Sequence, residues 1–125
     1  MNKHVQTGSV LLEALVAILI FSIGILAIVG LQAASMKNTS LAKSRIDASL
    51  IANQRLGEIW IDIPTLTTNP AAFTEADTPV ASLPDGKRTT VIQGDQVTVT
   101  VTWQMPGQTE VNNYQTIARI NTNPP

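Results

Sequence analysis

Hydrophobic and polar positions change rhythm along this chain, and each rhythm predicts an element. Residues 10–31 are apolar almost without interruption, with Glu13 their one ionisable side chain. As a helix rising ~1.5 Å per residue this stretch is about 33 Å long, enough for the ~30 Å hydrocarbon core of a bilayer. No proline follows until Pro64, and Ala42, Ile46, Leu50, Asn53, Leu56 and Trp60 recur at steps of three and four. That period predicts one continuous helix over residues 9–61, whose outer half packs this mainly apolar stripe on a sheet. Lys37, Lys43, Arg45 and Arg55 largely keep clear of the stripe.

Punctuation replaces periodicity over residues 62–87, which hold Pro64, Pro70, Pro79, Pro84 and Asp85-Gly86. The expectation there is an irregular connection with a short helical turn near residues 71–76. The period then becomes two. Val97, Val99, Val101 and Trp103 fall on one face, and Thr98, Thr100 and Thr102 on the other. Residues 88–93 precede that strand across Gly94-Asp95, a two-residue hairpin signal. Pro106-Gly107 suits a type II turn, and residues 111–120 supply a third strand. The predicted class is α+β, with one long N-terminal helix packed on a small antiparallel sheet of about three strands. Residues 121–125 read as a frayed end.

Composition narrows the chemistry. The chain has 125 residues, no cysteine and 4% aromatic residues. That leaves room for one span and one small, aliphatic domain, and it excludes disulfides and thiolate sites. The net charge is −1, and neither half is basic enough to predict a nucleic-acid surface. The single histidine, His4, lies in the polar leader over residues 1–8. No catalytic set and no His-based metal cluster can be assembled after it, and the acids of residues 62–87 lack the Asp-x-Asp-x-Asp-Gly spacing of a calcium loop. The expectation is a protein that is not an enzyme, with no cofactor and no metal.

Glu13 is the anomaly. A charged residue at mid-membrane costs about 2.5–3.5 kcal/mol on insertion scales, so a carboxylate there calls for a partner. A secretory signal peptide fits poorly, because the apolar run exceeds the usual ~7–15 residues and no Ala-x-Ala motif follows it. A plain single-pass anchor remains an alternative. Counting Lys3 against Lys37, Lys43 and Arg45 would put the C-terminal domain in the cytoplasm. Gly24, Ala27, Gly30 and Ala34 lie three to four apart, a spacing of small residues that lets another helix approach closely.

The run Gly8-Ser9-Val10-Leu11-Leu12-Glu13 resembles the processing site of the type IV prepilins, departing from many members only at Ser9, where they have Phe. The resemblance implies cleavage by a membrane prepilin peptidase between Gly8 and Ser9, and N-methylation of Ser9. It also implies a role for Glu13 in assembly, a leader in the cytoplasm and a domain outside. Residues 22–33 and 52–60, with Val99-Thr100-Val101-Thr102-Trp103-Gln104, are similar to the PilV minor pilins. That likeness implies a type IV pilin-like fold and a minor pilin of a Gram-negative type IV pilus, priming assembly and belonging to the tip complex. Its implied partners are the prepilin peptidase, other minor pilins, the major pilin and the inner membrane. A minor pseudopilin of type II secretion shares these features. Cleavage would free an ammonium at Ser9. At ~4 Å and an effective dielectric of ~20, ammonium and carboxylate attract by about 4 kcal/mol, offsetting much of the burial cost of Glu13. Within the family that amine belongs to a neighbouring subunit; the spacing of Ser9 and Glu13 equally allows the same chain.

The implied organisation is a leader over residues 1–8, a membrane and assembly segment over 9–31, and a small periplasmic domain over 32–125. The last comprises an amphipathic helix half (32–61), a loop (62–87) and a β-meander (88–121).

Overall fold

The computed structural model describes residues 4–121, with side chains from residue 7. The start of the expected leader, residues 1–3, and the expected frayed end beyond residue 121 lie outside the described residues. The chain divides into two compact units, Met1–Ser40 and Leu41–Pro125. Helix α1, His4–Ile61, begins in the first and ends in the second. It starts ahead of the predicted residue 9, because Gly8 weakens a helix by only about 1 kcal/mol relative to alanine and no proline interrupts it. This helix is long and apolar enough to cross a membrane.

The second unit packs the outer part of α1 on an antiparallel sheet. Helix α2 (Ile63–Thr68) follows, then a 3-10 turn at Pro70–Ala72 and strands β1 (Glu75–Val80), β2 (Gly86–Gln93), β3 (Gln96–Trp103) and β4 (Asn112–Arg119). The strands lie in the order β1-β2-β3-β4. The α+β class and the long helix on a small sheet are as expected, but the sheet has four strands and not about three. The region read as irregular supplies the difference. Asp62 caps α2 by accepting from the Thr65 N–H at 3.2 Å, with proline in the first turn. The same Asp and Pro that punctuate a loop also start a helix. Pro79 escaped a strand reading for a similar reason, since β1 is an edge strand where a missing N–H costs little.

The hairpin and turn fall where the glycines predict. Gln93 pairs with Gln96 across Gly94, whose φ of 62° is open to glycine at little cost. Gly107 has φ 80°, and the Gln108 N–H donates to the Met105 carbonyl at 3.0 Å, closing a type II turn.

The valine face of β3 is buried as predicted, with Val97, Val99 and Val101 fully covered and Trp103 2% exposed. The helix stripe predicted to cover it is not the one that does. Ser44, Ala48, Ala52 and Ile59 are buried, with Ile51 and Leu56 partly so, whereas Ile46, Leu50 and Trp60 are 66%, 65% and 50% exposed. Ala42 and Asn53 are exposed too, so Leu56 alone of the expected stripe packs on the core. The reason is complementarity of volume. Valines and a tryptophan on the sheet fill much of the layer, so Ser44, Ala48 and Ala52 must be small, while Ile59 is buried further along the helix. Periodicity favoured the bulky face over the small one.

The two faces should therefore respond in opposite ways. Ala52→Leu forces extra methylenes into a filled layer and is expected to destabilise the domain by about 1–3 kcal/mol. Leu50→Ala, on the exposed face, is expected to stay within about 0.5 kcal/mol. Pulse proteolysis in urea, on the full chain in detergent micelles, measures both. Equal losses would return Leu50 to the core.

Candidate assembly surface

The first unit carries all the residues singled out for processing and assembly. Gly8, Ser9, Glu13, Gly24, Ala27, Gly30 and Ala34 lie on α1, and all are exposed. Around them Phe21, Leu26 and Leu31 are 69%, 71% and 72% exposed, so the first unit presents a largely apolar surface. Apart from the chain neighbours and the helix's own backbone, no atom of the described residues lies within 4 Å of where a Cβ would stand at Gly8, Gly24 or Gly30. A second helix can approach these positions closely.

The Thr39 hydroxyl of this unit is satisfied locally, donating to the Ser35 carbonyl at 2.9 Å. The Ser22 hydroxyl donates to the Ile18 carbonyl at 2.8 Å, the usual way a serine hides its hydroxyl in an apolar helix. Glu13 differs. Among the described residues it has neither a hydrogen-bond nor an ion-pair partner. Ser9 lies one turn away on the same helix.

In the second unit a further unpartnered face runs along α1. Ile46, Leu50 and Trp60 lie on it, with Ile61 87% exposed at its end and open space at Gly57. It is the face opposite the one that packs on the sheet. The sequence had pointed to these residues and assigned them inward; the signal that would have corrected it is the alternative series Ser44, Ala48, Ala52, itself spaced by four.

A third feature was not foreseen. Glu75 of β1 receives hydrogen bonds from Arg88 and, at 3.0 Å, from the Thr90 hydroxyl. Arg55 of α1 brings its Nε to 3.4 Å from the same carboxylate, bonds Glu58 at 2.9 Å and donates to the Phe73 carbonyl at 3.0 Å. Its guanidinium sits 5.8 Å from the centre of the Phe73 ring, within cation–π range. Burial pushes the Glu75 carboxyl up, but the hydrogen bonds from Arg88 and Thr90 and the charges of Arg55 and Arg88 outweigh it. The net effect holds Glu75 below its ordinary value. Sequence reasoning could not assemble this cluster, because Arg55, Glu75 and Arg88 are distant in the chain and share no motif.

Among the described residues no group of three His, Cys, Asp or Glu side chains could hold a metal ion. Comparison with protein-family models, with curated proteins and with solved structures finds no match.

Proposed function

We propose that this chain is a minor subunit of a type IV pilus, of the PilV kind. It inserts in the inner membrane through α1 with its domain in the periplasm. A prepilin peptidase cleaves it between Gly8 and Ser9 and methylates Ser9. The subunit then joins other minor pilins and the major pilin, priming the fibre and remaining in its tip complex. The observation that carries this reading is Glu13, an unpartnered carboxylate in an otherwise apolar span. A freed cationic chain end is the partner that explains it, and assembly is the event that brings the two together. Gly24, Ala27, Gly30 and Ala34 supply the close helix contact, and the exposed face of Ile46, Leu50 and Trp60 supplies further apolar surface for neighbouring subunits.

Mass spectrometry of the protein recovered from cells tests the reading. The expected N-terminus is a methylated Ser9, and Gly8→Ala is expected to leave the precursor uncut. Recovery of full-length, functional protein would reject a fibre subunit and favour a simple membrane-anchored domain. Normal processing with a deletion that abolishes exoprotein secretion, and spares surface pili, would assign the chain to type II secretion.

A further inference from the structure

The four-stranded sheet has two edges held by different means. Strand β4 pairs with β3 along its whole length, Asn112 opposite Trp103 through Arg119 opposite Gln96. Strand β1 is less regular. Its register with β2 shifts between Glu75 and Thr78, and Asp77 sits at φ 47°, in the left-handed region that non-glycine residues rarely adopt. No residue of β1 is buried. Val80 at its C-terminal end packs against the core cluster, so apolar contact holds that end, and the N-terminal end before the register shift rests on polar contacts.

That polar attachment converges on one carboxylate. Glu75 accepts from Arg88 and Thr90 of β2, accepts from its own strand's Thr78 hydroxyl at 3.2 Å, and lies against Arg55 of α1. The Asp77 N–H adds one bond to the Thr89 hydroxyl at 3.2 Å. Arg55 also reaches back to the Phe73 carbonyl, so one guanidinium ties the connection ahead of β1 to the helix. Both arginine side chains are largely covered, 15% and 20% exposed.

We propose that the Arg55–Glu75–Arg88 cluster is an acid-sensitive latch for β1. With Glu75 ionised, β1 stays on β2; with Glu75 neutral, β1 and the connection before it open while β2, β3 and β4 keep their pairing. The charged groups facing Glu75 are Arg55 and, through it, Glu58 from α1, and Arg88 from β2. Protonation removes the charge both guanidiniums share and leaves Glu58 as the one remaining counter-charge of the cluster. The sign follows from the lowered Glu75 value. The contribution is present above the ordinary carboxyl value and is lost as pH falls through the lower folded-state value. The latch is independent of the assembly reading and stands or falls separately from it.

Hydrogen exchange with mass spectrometry on the full chain in detergent micelles tests it, with β3 as the internal reference. In the wild type, protection of β1 amides is expected to fall relative to β3 as pH drops below the ordinary carboxyl value and through the lower folded-state value of Glu75. Glu75→Gln, a neutral isostere, is expected to show β1 protection already lowered about tenfold or more at pH 7, and no longer dependent on pH. Three outcomes would overturn the latch: β1 protection unchanged in the variant, wild-type β1 protection indifferent to acid, or β1 and β3 losing protection together.

Discussion

On the pilin reading proposed above, Glu13→Val is expected to insert in the membrane and to be cleaved normally, yet to leave cells with few or no assembled fibres containing the protein. The substitution removes a charge from an apolar segment, so it makes the span a better membrane helix by about 2–3 kcal/mol. A loss of function that accompanies better insertion cannot be blamed on the span. It must come from a partner that meets the carboxylate. An attraction of about 4 kcal/mol between that carboxylate and a freed chain end corresponds to roughly a thousandfold in an association constant, enough to decide whether a subunit enters. Glu13→Asp keeps the charge on a shorter arm and should retain part of the assembly. The check is the amount of this subunit in sheared surface fibres, measured against the amount processed in the membrane. Wild-type incorporation of the valine variant would remove Glu13 from the assembly surface.

Trp103→Ala is expected to be the most destabilising single truncation in the domain. Trp103 closes the row of inward residues on β3, is 2% exposed, and packs in the same cluster as Ala48, Ala52 and Ile59. Removing a buried tryptophan side chain typically costs 3–5 kcal/mol through lost transfer energy and the cavity left behind. One term acts the other way, because the Trp103 Nε1–H is buried with no hydrogen-bond partner among the described residues. Deleting it relieves about 1 kcal/mol or more, so the expected loss is about 3 kcal/mol. Trp103→Phe should cost clearly less, since it keeps most of the ring and sheds the orphan donor. Pulse proteolysis in urea separates the two variants, and a phenylalanine variant as unstable as the alanine one would contradict this account.

Much of this was legible in the sequence because the signals are local. An apolar run with one acid in it announces both a span and the residue that needs explaining. Alternation over residues 96–103 predicted a strand and also which of its faces is buried, and Gly94 and Gly107 marked turns that only their positive φ permits. The misreadings share a cause. The prolines between residues 62 and 87 obscured α2 and β1, because a helix start and a sheet edge tolerate the same residues a loop favours. The stripe of Ile46, Leu50 and Trp60 looked like a core face because the helix has two faces of similar period. Only the volume of the sheet opposite determines which one fits.

What the sequence determined by itself is the set of elements whose causes lie within a turn or a strand: the long helix, the valine face, the tight turns and the isolated carboxylate at Glu13. Tertiary structure alone decided which side of α1 meets the sheet, that a fourth strand joins at the edge, and that Arg55, Glu75 and Arg88 converge. Those outcomes depend on facing volumes and on charges far apart in the chain. Neither leaves a period to read, since each exists only once the chain has folded back on itself.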